Sequence, residues 1–338
     1  MMKSISKSLW LLLFAVVICC IVYPLSLWVV GQTVFPFQAN GSIVKGPDGT
    51  PVGSLLIAQP FSKDEYFQPR PSAAAFNASA SSSSALAASN YALRNRVATT
   101  LGPIVRYKSG PKAGQLVAPD IEAWFQRDRY QRNPSIVQQW ASAHNSLASA
   151  WVATDSVHTL YVSEWAKNHT AVVAQFIKDN PTIPQPQATD LAIVFFGSFS
   201  TEHPGKFPSP VTHADSTGKT TVAIEPITAG TDIQSIFFDM WRQDHADADL
   251  QEVPGDMLTT SGSGLDPHIT LQNAEFQLDR VATKWAADTK RDSSALRAEI
   301  ERLLNEKAFA PFDGLAGEKL INVLEVNLEL RNRYGVPS

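Results

Sequence analysis

Three short strings hold residue types that could do chemistry. Thr217-Gly218-Lys219-Thr220 has the ending of a phosphate-binding loop, where backbone amides and a lysine hold phosphate oxygens, but the first glycine of such a loop would fall at His213. Ser263 lies in Ser261-Gly262-Ser263-Gly264, yet a nucleophile elbow needs glycine two residues before the serine, and Ser261 stands there. Asp244, His245, Asp247 and Asp249 offer cation ligands, with a solvated acidic stretch as the plainer reading. His144, His158, His169, His203, His213 and His245 never form the HExxH pair of a metalloprotease. Cys19 and Cys20 are the only cysteines, so no thiolate zinc site, disulfide framework or cysteine nucleophile exists beyond residue 20. Asn77-Ala78-Ser79 and Asn168-His169-Thr170 are glycosylation sequons that matter only in a eukaryotic secretory route. None of these strings specifies a reaction.

The elements that would position such groups begin with an anchor. Leu9 to Val30 runs 22 residues without a charge, which as a helix spans about 33 Å against a hydrocarbon core of about 30 Å. A cleaved signal peptide would have a shorter apolar region and a small-residue cleavage site, and neither is present. Lys3 and Lys7 precede the run, so the positive-inside bias puts the N-terminus in the cytoplasm and the bulk of the chain outside it. Pro24 is expected to kink the helix at a place where a neighbouring helix satisfies the freed carbonyl. Residues 31–338 carry 26 basic and 32 acidic side chains, a net of −6, which excludes the clustered basic footprint of a nucleic-acid binder. With 44% apolar and 18% charged residues the chain can bury a core.

Along the exported part, 42–58 reads as strand, turn and strand, with turn chemistry at Pro47-Asp48-Gly49 and an apolar run from Val52 to Ile57. Residues 72–89 are rich in Ala and Ser, which by composition alone reads as a flexible linker. A short helix is expected at 91–101, further helices near 134–151 and 156–179, and a fully apolar strand from Leu191 to Phe196. Thr270 is placed to cap a helix bearing Ala274, Leu278, Val281 and Trp285 on one face; a second helix after Asp292 or Ser293 carries Leu296, Ile300, Leu303 and Leu304. The segment 319–331 is ambiguous between strand and helix, and Gly335 as a C-terminal cap favours helix. Five of the eight tryptophans and six of the seven histidines fall between 103 and 252.

The string Ser261-Gly262-Ser263-Gly264-Leu265-Asp266-Pro267-His268-Ile269 resembles the signature of the C subunit of bacterial potassium-transporting P-type ATPases, the KdpC family. Other motifs follow in family order. Ala58-Gln59-Pro60-Phe61 resembles GQPF, then come Tyr66-Phe67-x-x-Arg70-Pro71-Ser72, Phe76-Asn77-Ala78 and Ser89-Asn90. Val253-Pro254-x-Asp256 leads into the signature, Arg280-Val281-Ala282 follows it, and Asn322-Val323-Leu324-Glu325-Val326-Asn327-Leu328 resembles the terminal NVLELNL. The resemblance covers about 1–102 and 253–332 and recasts the Ala/Ser stretch as ordered. Two positions depart from the pattern: Ala58 replaces a glycine and Tyr91 a proline. The block 103–252 has no counterpart in it.

The resemblance implies an α+β fold: one N-terminal transmembrane helix and an extracytoplasmic mixed α/β domain carrying an inserted, partly helical module. The division is 1–30 (cytoplasmic tip and anchor), 31–102 and 253–338 (two halves of one domain), and 103–252 (the insertion). It further implies an accessory subunit of an ATP-driven potassium importer in the bacterial inner membrane, partnered by the channel-like and P-type ATPase subunits and the bilayer. No catalytic site, metal or cofactor of its own is expected, since ATP, magnesium and potassium belong to the complex. The alternative is a membrane-anchored extracytoplasmic enzyme or ligand-binding protein with its site in 103–252. Within the signature, the two glycines permit a tight turn and Asp266 before Pro267 can accept nearby amides, so the loop reads either as a rigid lock or as a partner contact. Arg70 reads as a salt-bridging or carbonyl-binding arginine. Gln59 and Asn77 read as interface hydrogen bonders or as satisfied buried amides.

Overall fold

An uncharged apolar run satisfies its own backbone amides by coiling, and Leu9 to Val30 does so. The computed structural model describes residues 2–46, 49–87, 89–127, 134–214, 219–315 and 317–335. Pro47-Asp48 of the expected turn and Thr217-Gly218 lie outside the described residues. Helix α1 (Met2–Val17), a π-helical turn (Ile18–Val22) and α2 (Tyr23–Val34) run on as one helix. Its Ile5–Val34 stretch of 30 residues is long and apolar enough to cross a membrane. Pro24 accounts for the π turn: its ring would strike the carbonyl of Cys20, and the widened turn instead bonds the Tyr23 N–H to Ile18 O, five residues back.

After α3 (Pro36–Ala39), β1 (Ile43–Lys45) and β2 (Pro51–Ser54) pair antiparallel, with a register shift between Val44 and Lys45. The remaining elements are α4 (Tyr91–Ile104), α5 (Ala118–Gln126), α6 (Ile136–Ala143), α7 (Asn145–Val152), α8 (Ser156–Asn168), α9 (Thr170–Asp179), α10 (Ala192–Glu202), the hairpin β3 (Phe207–Ala214) and β4 (Thr220–Ile227), α11 (Thr231–Asp244), α12 (Gly255–Leu258), β5 (His268–Thr270), α13 (Leu271–Thr289), α14 (Ser293–Lys307), β6 (Leu320–Asn322) and α15 (Val323–Tyr334). They divide into two compact units, Met1–Ala85 with Val253–Ser338, and Leu86–Glu252.

In the first unit β5 pairs antiparallel with β6, and α13, α14 and α15 enclose a core containing Leu278, Trp285, Ile300 and Leu330. The caps read from sequence are formed: Thr270 Oγ1 accepts from the Asn273 N–H and Asp292 Oδ1 from the Ala295 N–H. The ambiguous C-terminal segment is both things in turn, a three-residue strand and then a helix that Asn322 caps through the Glu325 N–H and Gly335 ends with φ +92°.

The second unit is built on aromatic packing. Trp140, Trp151, Phe195, Phe196, Phe207 and Phe237 meet with centroid separations of 4.7–6.2 Å where they touch one another or Phe125. The expected strand from Leu191 to Phe196 is a helix, α10. Its apolar residues continue to Phe199, and Ala192, Phe195, Phe196 and Phe199 are buried at helical spacing; a short apolar run has no period of its own to separate the two states, and here the surrounding helices decide. The helices expected at 134–151 and 156–179 each break once, at His144 and at His169. Both breaks follow one pattern: the histidine ends a helix, stacks on the tryptophan four residues earlier and places Nδ1 near that residue's carbonyl, as His245 does after Trp241. At α4 and α11 the backbones approach so closely that a Cβ on Gly102 would stand 2.0 Å from Gln234 O.

Candidate partner-binding site: a motif loop and its amide clamps

The segment Tyr66-Phe67-Gln68 carries no strand partner, yet its backbone polar groups are buried and must be satisfied. Side-chain amides do this from two helices. Asn327 of α15 donates Nδ2–H to Phe67 O and accepts the Phe67 N–H at Oδ1, both at 2.9 Å. Gln277 of α13 does the same for the next residue: its Oε1 accepts the Gln68 N–H at 2.8 Å and its Nε2 donates to Gln68 O at 3.1 Å. Asn273 Oδ1 takes the other Nε2 proton of Gln277 at 2.8 Å. Clamping sinks the Phe67 ring into the core, where it is fully buried.

Arg280, one turn further along α13, gathers the carbonyls of the preceding stretch: Asp64 O at 2.7 Å and Tyr66 O at 3.1 Å, with Gln277 Oε1 at 2.8 Å. Burial lowers its pKa, opposed by the charges of Asp64 and Glu65. Trp285 Nε1–H donates to Glu65 O at 2.8 Å, and Tyr66 packs on Phe61 with centroids 5.4 Å apart. Gln277 and Asn273 were not singled out in the sequence. Their signal was there: Asn273, Gln277 and Arg280 form a polar row at i, i+4 and i+7 beside the apolar stripe of the same helix.

The signature loop is held from the other side by residues 72–84 of the Ala/Ser stretch, which make specific contacts with it and do not behave as a linker. Ser72 Oγ donates to Gly264 O while accepting the Ala74 and Phe76 N–H groups at 3.2 and 2.9 Å. Ser82 N–H donates to Ser263 O at 2.9 Å, and the hydroxyls of Ser84 and Thr260 meet at 2.9 Å. Gly264 has φ +70°, and a Cβ there would stand 2.6 Å from Ser82 O. Arg70 binds the Thr260 carbonyl at 3.1 Å, so of its two readings it is the carbonyl-binding one. Asp266 forms the Asx turn expected before Pro267: Oδ1 accepts the His268 N–H at 3.0 Å and faces His268 Nδ1 at 2.9 Å. That bond, with the charge of Arg70, holds the Asp266 carboxyl below the usual carboxylate range against the opposing effect of burial. Pro267 is buried, and its carbonyl takes the Val323 N–H.

The two departures from the family pattern are absorbed. Ala58 keeps a negative φ and donates its N–H to Leu265 O at 2.8 Å, so no glycine is required there. Tyr91 is the first residue of α4 after the Asn90 cap, the one helical position where proline is at home and where other residues serve as well. Gln59 lies over Gly53 and donates to Val52 O at 3.1 Å; Asn322 Nδ2–H reaches Leu55 O at 2.8 Å. Asn77 is exposed and closes its own turn, accepting the Ser79 N–H and hydroxyl. Of the motif residues, Pro60, Asn77, Gly262 and Ser263 are exposed, Arg70, Pro71 and His268 are part-buried, and Ser261, Gly264 and Pro267 are buried. Among the described residues no group of three or more His, Cys, Asp and Glu could hold a metal ion, so Asp244 to Asp249 form no such group.

A family model described as "KdpC: K+-transporting ATPase, c chain" matches residues 5–121 and 231–332. The match therefore reaches past the motif-bearing segments to include α4, the start of α5, and α11. Potassium-transporting ATPase KdpC subunits are similar over shorter spans: that of Pseudomonas putida (strain W619) is 44% identical over 107 residues, 32% of this chain and 58% of the relative. That of Caulobacter sp. (strain K31) is 54% identical over 79 residues, 23% of this chain and 40% of the relative. KdpC subunit 2 of Nostoc sp. (strain PCC 7120 / SAG 25.82 / UTEX 2576) is 41% identical over 102 residues, 28% and 51%. The chain spans about half the length of the curated relatives it matches. With both matched segments closing on each other through Asn327, Gln277 and Gly264, the chain belongs to the KdpC family, a subunit of the potassium-transporting ATPase.

Proposed function

We propose that this chain is the accessory, non-catalytic subunit of an ATP-driven potassium import complex, joining a channel-like subunit and a P-type ATPase subunit. ATP, magnesium and potassium are handled by those partners. The observation that carries the reading is the interlock itself: two family-matching segments separated by more than a hundred residues form one hydrogen-bonded platform in the unit that bears the apolar helix. Buried members of the motifs brace the loop, and its exposed members, Pro60, Asn77, Gly262 and Ser263, are the partner contacts. The anchor crosses the bacterial inner membrane once with Lys3 and Lys7 in the cytoplasm, which leaves the platform outside.

We further propose that the inserted module is built from residues 122–230, narrower than the block 103–252. The ends of that segment meet: Glu122 Oε1 accepts the Gly230 N–H at 2.8 Å and the Gln234 side chain at 2.7 Å, and Gln126 Nε2–H donates to Thr228 O at 2.8 Å. Chain ends that emerge side by side are where an insertion is tolerated.

Co-purification of the tagged chain with its pump subunits tests the assignment. Gly262→Arg combined with Ser263→Arg is expected to abolish co-purification while leaving the melting temperature unchanged. Retained co-purification removes the loop from the interface. Replacing residues 9–30 by polyleucine is expected to keep the chain in the membrane and weaken the complex, because an assembly helix needs shape as well as hydrophobicity.

A further inference from the structure

A recess of about 200 Å³ opens in the 86–252 unit where α4, α7 and α11 come together. It is smaller than the roughly 300–1,000 Å³ of sites for drug-sized ligands, so a small solute is its natural occupant. Trp140, Leu147, Trp151 and Ile236 supply an apolar lining. Ser235, only 8% exposed, also lines it with a hydroxyl that can donate and accept. Asn95 adds a side-chain amide able to donate twice and accept.

The charged groups define what that solute is. His144 Nδ1 lies 3.1 Å from Trp140 O, which can only accept, so Nδ1 carries a proton and Nε2 is the ring nitrogen left to meet a ligand. Asp239 adds a carboxylate. One nitrogen of Arg94, Nη2, donates to both Asp239 oxygens at 3.0 and 2.8 Å; the rest of the guanidinium is 56% exposed side chain with no other partner among the described residues. A wider depression of about 900 Å³ shares Asn95, His144 and Asp239 with the recess and includes Arg94. An apolar pocket thus has acceptors and a cation side by side at its polar end.

We propose that this recess binds a free aliphatic α-amino acid, its side chain against Trp140 and Trp151, its ammonium on Asp239 and His144, and its carboxylate on Arg94. Ser235 and Asn95 supply further hydrogen bonds to the polar end.

Calorimetric titration of the full-length chain in detergent micelles tests it. Leucine is expected to bind saturably. Glycine, which lacks the apolar side chain that packs on Trp140 and Trp151, and 4-methylpentanoate, which loses the charge-assisted contact of the ammonium, are each expected to bind at least about tenfold more weakly. Asp239→Asn and Ser235→Ala are expected to weaken leucine by about tenfold and about threefold with the thermal melt retained. No saturable leucine binding, equal affinity for leucine and glycine, or unchanged affinity in both variants overturns the proposal. Leucinamide mimics the first residue of a peptide. If it binds more tightly than leucine, the occupant is a peptide N-terminus and the free amino acid is excluded.

Discussion

Asn327 and Phe67 stand 260 positions apart, and the amide of the first holds both backbone polar groups of the second at 2.9 Å. A β-strand would satisfy Phe67 in the same way with a neighbouring backbone. Here one side chain replaces the neighbour, and Gln277 repeats the arrangement on Gln68 from the opposite helix. The two matched halves of the family sequence are joined through these four bonds, the Arg280 carbonyl contacts and the Ser72–Gly264 bond.

Replacing Asn327 by Leu leaves the buried N–H and C=O of Phe67 without partners. A loss of about 2–4 kcal/mol in unfolding free energy is expected from two orphaned groups. Gln277→Leu is expected to do similarly. The check is chemical denaturation of the full chain in detergent, and an unchanged midpoint would remove the clamp from the fold's support.

Two glycines of the signature are expected to respond oppositely. Gly264→Ala puts a Cβ 2.6 Å from Ser82 O at φ +70°, so the loop must shift; Gly262→Ala meets nothing within 4 Å. The first is expected to destabilise by about 1–3 kcal/mol and weaken co-purification, the second to leave stability unchanged. Melting curves and pull-down of the two variants decide it.

Two excisions separate the possible boundaries of the insertion. Replacing 122–230 by a short Gly/Ser linker keeps α4 against α11, across the contact at Gly102, and is expected to give a folded, membrane-bound chain that joins the pump. Replacing 104–251 strips α4 of α11 and is expected to give an aggregated or degraded chain. Equal yields of both, measured by size-exclusion chromatography, would show that α4 needs no partner.

Asp266 makes acid stability of the first unit directional. Its folded pKa lies below the ordinary 3.8 because the His268 bond and Arg70 favour the carboxylate. A depressed acid contributes stability above its unfolded pKa and loses it as pH falls through the folded one. The melting-temperature gap between the natural chain and Asp266→Asn is therefore expected to be full at pH 6 and to narrow below about pH 4. A gap that persists unchanged at pH 2 shows that the charge of Asp266 plays no part.

What the sequence by itself determined is local. Helix caps at Thr270 and Asp292 and the Asx turn at Asp266 each depend on residues within a few positions, so residue type and spacing suffice to read them. The uncharged run Leu9 to Val30 similarly carries its helical state in its composition. Tertiary structure decided the rest. Leu191 to Phe196 is apolar on every side and has no period to distinguish strand from helix, and only the surrounding tryptophans and phenylalanines select α10. Gln277 reads as one polar residue among many on α13 until Gln68 is brought to it from 209 positions away. The bounds of the insertion follow the same logic, since Glu122 and Gly230 meet in space but nothing in either residue announces the other. Short-range hydrogen bonds are written in adjacent letters, whereas a contact across two hundred residues exists only after the whole core has closed.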